Sequence, residues 1–169
     1  NPISVSNVPV SYTGLRIGFS AAKGLAYALQ VPLITIDTLQ ALTVMALKKT
    51  NANSLYCPML DARRMEVYCA LYAQDLKEVL PVNAMVLNEE STKTFAKQQE
   101  AIYFFGDGMP KAKTLLSTLA NARFIENITA SAGSLISLSW EKYQKKEFAD
   151  TAYAEPNYLK EFFFTSAKK

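Results

Sequence analysis

The first fifty residues alternate between short apolar runs and longer amphipathic segments. The pattern predicts a strand over residues 3–7, a helix over 13–30, a strand over 33–36 and a helix capped by Asp37 or Thr38 that ends at Lys49. Pro32 follows the first helix and disfavours helical geometry in the residue before it. This order of strand and helix is typical of a doubly wound α/β layer.

The polar residues of the first predicted helix form one narrow stripe. They are Arg16, Ser20, Lys23, Tyr27 and Gln30, at helical spacing. Much of the remaining helix surface is small, because it carries Gly14, Gly18, Ala21, Ala22 and Ala28. Small residues let another helix or a sheet approach closely. Two interpretations are open: a helix buried within its own domain, which the pattern favours, and a helix that also contacts a partner protein.

The polar stretch over residues 50–54 has linker character, and we place a domain boundary there. A β-rich block follows it. The predicted elements are strands at 55–60, 65–73, 79–87, 101–105 and 123–125, helices at 89–99, 110–120 and 131–147, and an extended tail at 154–164. Pro81 marks the third of these strands as an edge strand or a bulge.

Composition narrows the chemistry. The 169 residues are 50% hydrophobic and 20% charged, with a formal net charge of +3 and no histidine. The commonest general base and metal ligand is therefore missing, and two cysteines cannot close a structural zinc site. Cys57 and Cys69 are interpreted as reduced, half-buried thiols of a cytosolic protein. The basic residues are dispersed, so direct nucleic-acid binding has only weak support, and no apolar run is long enough to span a membrane.

Two segments carry candidate chemistry. Residues 61–66 (DARRME) are predicted to form a hairpin, at which Arg63 and Arg64 either contact an anion or belong to an ion-paired turn, the interpretation we favour. Residues 106–108 (GDG) follow a strand and indicate a plain turn rather than a phosphate contact. No serine has a histidine to activate it. We therefore assign no catalytic, cofactor-binding or metal-ligating residue.

Four ordered segments resemble the TsaB (YeaZ) family: residues 11–42 (SYTGLRIGFSAAKGLAYALQVPLITIDTLQAL), 61–72 (DARRMEVYCALY), 104–108 (FFGDG) and 154–159 (AEPNYL). That family is the non-catalytic companion of the TsaD enzyme in bacterial threonylcarbamoyladenosine modification of tRNA. The resemblance implies an α/β, actin/Hsp70-like ATPase (RNase H-like) fold with two related domains, the first one incomplete. Residues 1–50 correspond to the C-terminal half of the first domain, 51–154 to the second domain and 155–169 to a tail.

The resemblance also implies partners. These are a TsaD-type enzyme, a TsaE-type ATPase in the full complex, a second copy in a homodimer, and tRNA indirectly, all in the cytoplasm. The first helix would supply the interface through Gly14, Arg16, Ile17, Gly18, Ala21, Ala22 and Leu25. ATP or ADP would bind only at the interface with the TsaD-type partner. The alternatives are a free-standing ATPase or peptidase-like enzyme of the same fold, and a general interaction module.

The chain departs from the family pattern in two places. Val8-Pro9-Val10-Ser11 stands where family members usually carry Gly-Pro-Gly-Ser, and valine in a left-handed position would be strained. The opening strands and first helix of the family's N-terminal domain are also absent from the sequence. We therefore expect that the N-terminus of a longer protein is missing.

Overall fold

The computed structural model describes residues 1–7, 12–50 and 52–157. Its elements are β1 (Ile3–Ser6), α1 (Tyr12–Leu29), β2 (Leu33–Ile36), α2 (Thr38–Lys49), β3 (Leu55–Asp61), β4 (Glu66–Tyr72), β5 (Glu78–Val86), α3 (Glu89–Ala96), β6 (Ile102–Phe105), α4 (Met109–Leu116), β7 (Ala122–Phe124), a 3₁₀ turn (Ala132–Leu135) and α5 (Ile136–Gln144). The alternation predicted for the first fifty residues is confirmed.

The first sheet is a parallel pair. β1 and β2 lie side by side with Ile3 opposite Leu33 and Ser6 opposite Ile36. A parallel pair needs a crossover connection, and α1 supplies it by packing back on both strands. Within the described residues, β1 pairs with β2 alone.

The second sheet has the strand order β5-β4-β3-β6-β7. β3, β4 and β5 form an antiparallel meander, and β6 and β7 continue the sheet parallel to β3. β5 carries Pro81, lies at the edge and pairs irregularly with β4 around Leu71. The predicted edge strand is therefore confirmed, and the position suits proline, which has no backbone N–H to donate to a neighbouring strand.

Each face of the second sheet has its own helical cover. Alternate side chains such as Cys57, Met59 and Phe104 point to the face covered by α3 and α4. Their neighbours, such as Tyr56 and Phe105, point to the face covered by α2. Side chains that alternate in this way along β3 bury both faces, so β3 is apolar along almost its whole length.

The packing crosses the predicted domain boundary in both directions. α2, which precedes the boundary, packs on the second sheet through Leu39, Leu42 and Ala46. α5, which follows it, returns to the first sheet, where Leu138 packs with Ile34. Asn51, at the boundary itself, lies outside the described residues, and the division at residues 50 and 51 stays a prediction.

The long helix predicted over residues 131–147 is wrong. Its first turn is the 3₁₀ turn, in which Ser131 and Ser134 exchange side-chain contacts with each other's backbone. Gly133 lies in this turn, and glycine and serine favour caps and turns over helix interiors. The helix proper begins at Ile136, and Lys146 ends it with a positive φ of 58°.

The two cysteines are free, as predicted, but they are fully buried rather than half-buried. Cys57 lies on β3 and Cys69 on the neighbouring β4, both on the face covered by α3 and α4. Burial raises the pKa of the Cys57 thiol, and the adjacent Cys69 adds to the rise. These thiols are therefore unreactive components of the core.

Candidate interaction surface

One side of α1 packs on the protein. Leu15, Phe19, Ala22 and Ala26 are its buried residues, and their spacing of four, three and four places them in one row. Ala22 and Ala26 pack with Leu33 of β2. The small alanine side chains let the helix lie close to the sheet.

A second side of α1 is apolar and faces outward. It comprises Gly14, Ile17, Gly18, Ala21, Gly24, Leu25 and Ala28, which we call the outer face. At 100° per residue these positions span about 120° of the helix circumference. Ile17 is 66% exposed and Leu25 is 53% exposed. A contiguous exposed apolar surface of this kind is a candidate interaction surface.

The third side of α1 is the predicted polar stripe, and the segment 150–157 lies over part of it. The Nζ of Lys23 donates to the carbonyl oxygens of Ala152 (3.0 Å) and Ala154 (2.9 Å). A cleft of about 390 Å³ separates this part of the helix from the segment; Arg16, Phe19, Ser20, Lys23, Ala154, Glu155 and Pro156 line it. Residues 150–157 therefore cover part of the polar stripe, whereas Ile17 and Leu25 of the outer face are exposed among the described residues.

Two glycines of the outer face, Gly18 and Gly24, have no role in packing against the described residues. A Cβ built at Gly18 or at Gly24 meets nothing within 4 Å. Both residues are helical, yet glycine costs about 1 kcal/mol relative to alanine in a helix interior. Within the described residues, no packing contact at Gly18 or Gly24 offsets this loss of helix stability.

Six of the seven predicted interface residues are exposed. They are Gly14, Arg16, Ile17, Gly18, Ala21 and Leu25, of which Arg16 belongs to the polar stripe. Ala22 is different, because it is 7% exposed and packs against the first sheet. The loop over residues 8–11, in which valine replaces the family's glycine, lies outside the described residues.

The hairpin between β3 and β4 does not have the form that we favoured. Among the described residues, neither Arg63 nor Arg64 belongs to an ion pair. The carboxylate of Asp61 pairs instead with the Nζ of Lys111 on α4. The ion-paired interpretation of the two arginines is therefore wrong, because a lysine distant in sequence takes the carboxylate that they would have used.

The turn over residues 106–108 is confirmed as a structural turn. Gly106 has a φ of 101°, and a Cβ there would lie 2.2 Å from the Met59 carbonyl oxygen. A Cβ at Gly108 would lie 2.9 Å from the backbone of Leu60. Both glycines are thus needed for close approach to β3. The turn packs against the chain's own backbone.

A half-buried polar group lies where the start of α2 meets the second sheet; the sequence indicated Asp37 as a helix cap but not its neighbours in this group. Asp37 caps α2 by accepting hydrogen bonds from the N–H groups of Leu39 (2.7 Å) and Gln40 (3.1 Å). Burial raises the pKa of its carboxyl, and the charge of Glu78 adds to the rise. Tyr72 Oη is buried without a hydrogen-bond partner among the described residues, and burial together with the Asp37 charge raises the pKa of Tyr72. The group combines residues of α2, β4 and β5, so it exists only in the folded chain.

Residues 1–158 match the family model described as TsaD, tRNA N6-adenosine threonylcarbamoyltransferase. A relative from Bacillus subtilis (strain 168), named tRNA threonylcarbamoyladenosine biosynthesis protein TsaB, is 28% identical over 161 residues, which are 94% of this chain and 69% of the relative. The Escherichia coli (strain K12) protein of the same name is 37% identical over 75 residues, which are 44% of this chain and 32% of that protein.

Two solved structures from Pseudomonas aeruginosa resemble the chain. One, described as an uncharacterized protein with similarity to peptidase YEAZ, has a TM-score of 0.74 at 22% identity and covers 94% of this chain and 74% of its own. The other, YeaZ, has a TM-score of 0.69 at 20% identity, with 92% and 74% covered. These matches confirm the predicted α/β fold of the actin/Hsp70-like class. Within the described ranges, none of the helices is long and apolar enough to cross a membrane.

Proposed function

Because this chain belongs to the TsaD family, as a member of its TsaB (YeaZ) group, we propose that it is a non-catalytic subunit in tRNA threonylcarbamoyladenosine biosynthesis. Its curated relatives are named as biosynthesis proteins of that modification. In this proposal the chain binds and supports a TsaD-type enzyme in the cytoplasm, and a TsaE-type ATPase joins the full complex. Contact with tRNA is then made mainly through the assembly.

The observation that carries the proposal is the outer face of α1. Gly18 and Gly24 cost helix stability, and within the described residues neither the backbone conformation nor the packing requires glycine at these two positions. A second helix that packs on this face would use the space, since small residues let helix axes approach closely. The contact would then remove from water the exposed side chains of Ile17 and Leu25, together with the apolar surface of the partner helix.

The kinds of ionisable side chain in this protein, and the contacts they make, favour a non-catalytic role. The sequence has no histidine, and no three His, Cys, Asp or Glu side chains in the described ranges group as metal ligands. The half-buried Asp37 is used as a helix cap. The carboxylate of Asp61 and the Nζ of Lys111 are used to hold the hairpin.

In this proposal, nucleotide binding requires the complex with the TsaD-type enzyme. The turn over residues 106–108 packs on β3, and Lys111 occupies the base of the neighbouring hairpin. We propose that ATP or ADP binds only at the interface with the TsaD-type partner. Calorimetric titration with ATP should therefore give no heat of binding with this chain alone and a measurable heat with the complex.

The variant Gly18→Leu tests the interface directly. Leucine at this exposed helical position should raise the free energy of unfolding by about 0.5 to 1 kcal/mol, because glycine is a poor helix former and the site has room for a side chain. The same leucine should block close approach of a partner helix. We expect affinity for the TsaD-type enzyme, measured by calorimetry, to fall at least about tenfold, which is about 1.4 kcal/mol.

Thr114→Leu is the matched control, since it adds a leucine to an exposed position of α4 far from the outer face. It should leave the affinity for the enzyme unchanged. Equal affinity of the Gly18→Leu and Thr114→Leu proteins would remove the interface assignment. Light scattering of the isolated chain before and after Gly18→Leu shows whether the same face also forms a homodimer.

A free-standing peptidase-like or ATPase activity is the competing function. One structural relative is described by its similarity to a peptidase. Hydrolysis of peptide or ATP by the purified chain, at a rate that follows the protein through separation on two different columns, would favour this alternative. We expect no such activity.

A further inference from the structure

We propose that the tip of the β3–β4 hairpin, residues 62–65, is a contact site for the backbone phosphates of RNA. The tip carries Arg63 and Arg64, and both residues are exposed. The proposed contact with the TsaD-type enzyme does not use their side chains, and among the described residues neither side chain belongs to an ion pair. Three features of the hairpin support the assignment: its backbone, the lysine that holds it and the two positive charges at its end.

The backbone of the tip is held in a conformation that its residues disfavour. Arg63 has a φ of 67° and Arg64 a φ of 47°, so two consecutive residues lie in the left-handed region. Hairpin turns of this geometry normally carry asparagine or glycine, which adopt positive φ at low cost. Strained residues persist where the surrounding structure enforces them, and they cluster at functional sites. Here the sequence retains arginine at both strained positions.

Lys111 enforces this conformation from the side of α4. Its Nζ donates to the carbonyl oxygen of Arg64 (2.8 Å) and to that of Glu66, and it pairs with the carboxylate of Asp61. The Lys111 side chain is only 23% exposed. Three acceptors from both strands of the hairpin thus meet one ammonium group, which fixes the tip before any ligand arrives. A site that is already ordered loses less entropy on binding.

Two positive charges at the tip, those of Arg63 and Arg64, belong to no ion pair among the described residues. The carboxylate of Asp61 is paired with Lys111, and Oδ1 of Asp107 accepts a hydrogen bond from the Asp61 N–H (3.0 Å). Glu66, at the start of β4, is half-buried. Adjacent arginines without a carboxylate are suited to bidentate contact with phosphate.

The choice of RNA as the source of the phosphate rests on the function proposed above. The family model describes an enzyme that acts on tRNA. An RNA strand presents successive phosphates to neighbouring arginines, and such contacts position the nucleic acid without reading its sequence. The open tip offers no enclosure for the base of a single nucleotide, because Arg63, Arg64 and Met65 are all exposed.

The test is fluorescence anisotropy of the full chain with a labelled tRNA transcript over a series of salt concentrations. The variant Arg63→Ala/Arg64→Ala should lower the affinity about fivefold to tenfold, and the slope of log affinity against log salt should shrink by about 1 to 2, since two phosphate contacts are lost. Alanine also carries a Cβ, so the strain of the turn is retained. Arg63→Lys/Arg64→Lys keeps the charge and should give an intermediate loss, because lysine cannot form the bidentate contact.

Lys48→Ala/Lys97→Ala is the matched control. It removes the same charge from two exposed lysines, at the end of α2 and the end of α3, and should change the affinity less than twofold. Equal losses in the two alanine pairs would show a diffuse charge effect and overturn the proposal. Absence of tRNA binding by the unaltered chain, or displacement of the tRNA by ATP at micromolar concentration, would overturn it too.

Co-purification of the same variants with the TsaD-type enzyme separates this proposal from the preceding one. We expect Arg63→Ala/Arg64→Ala to bind the enzyme normally. If the variant loses the enzyme and keeps tRNA affinity, the tip is a protein contact and the RNA assignment is wrong, while the subunit function stands. If the unaltered chain binds tRNA through the tip but no enzyme, the subunit function fails and the RNA assignment stands.

Discussion

Single lysine side chains join parts of the chain that are distant in sequence. Lys23 of α1 donates to Ala152 and Ala154, Lys111 of α4 to the hairpin, and Lys142 of α5 to the carbonyl oxygen of Thr35 (3.0 Å). In each case most of the acceptors are backbone carbonyls, which every residue supplies. Such bonds leave no pattern of opposite charges in the sequence, although charge-assisted bonds are among the stronger ones.

The half-buried carboxyl of Asp37 gives a prediction for pH dependence. Burial raises its pKa in the folded protein above the ordinary value of 3.8, so the folded state holds this proton after the unfolded chain has lost it. As the pH rises from 3.8 through the raised pKa, the contribution of Asp37 to the free energy of unfolding therefore falls. Asp37→Asn keeps a cap residue and cannot ionise. The difference in stability, variant minus unaltered chain, should increase with pH over that window.

Urea unfolding of both proteins between pH 3 and pH 7 measures this difference. Lys142 lowers the pKa of Asp37, and Glu78 raises it. Glu78→Gln should therefore narrow the window, and it serves as the control for charge. A difference between Asp37→Asn and the unaltered chain that stays constant across the whole range would contradict the raised pKa.

At the scale of elements, α1 has three sides with different surroundings. Leu15, Phe19, Ala22 and Ala26 face the protein, the polar stripe faces the end of the chain in part, and the outer face is open. Backbone hydrogen bonds at either end of the segment 150–157 tie it to the first sheet and to the residue that follows β1. The N–H of Ala149 donates to Leu33 (2.8 Å), and the N–H of Asn157 donates to Asn7 (3.1 Å).

Lys23→Met should loosen this segment. Methionine keeps the apolar stem of the side chain but loses the two bonds to Ala152 and Ala154, at a cost of about 1 kcal/mol. Amide exchange over residues 150–157 should become faster, while exchange in β3 stays the same. Lys97→Met, at an exposed position after α3, is the control. Unchanged exchange of the Ala154 amide in Lys23→Met would mean that the bonds to Lys23 do not hold the segment.

At the scale of the whole molecule, the two sheets differ in how completely they are covered. β3 lies between β4 and β6, and six of its seven residues are buried. All four residues of β1 are only half-buried, and within the described chain β1 pairs with β2 alone. α2 and α5 each pack across to the sheet of the other half, so the halves are interleaved.

Amide exchange should reflect this difference. We expect the amides of β3 and β6 to exchange at least about tenfold more slowly than those of β1 in a monomer verified by light scattering, because partly covered edge strands open locally at low cost. Exchange as slow in β1 as in β3, in that monomer, would contradict the expectation. An unpaired edge also invites another strand, so slower exchange in β1 at higher protein concentration would indicate association there.

Much of the local structure follows from the sequence alone. The alternation over residues 3–49 and the proline in β5 identify helices, strands and an edge, because side-chain periodicity and proline geometry are properties of short segments. Three of the four family-like segments contain the features on which the proposals rest, namely α1, the β3–β4 hairpin and the turn over residues 106–108. The apolar and small residues of the outer face were likewise visible as a pattern.

Only the tertiary structure decided which side of α1 is covered, which carboxylate pairs with Lys111, and that Arg63 and Arg64 form no ion pair within the described part of the chain. Each of these depends on residues brought together from distant elements, and periodicity carries no information about such contacts. A helix with one polar stripe and an apolar remainder predicts water on the stripe. Ala152 and Ala154 supply backbone carbonyls to that stripe instead, so part of the polar side is covered, while Ile17 and Leu25 of the outer face are exposed.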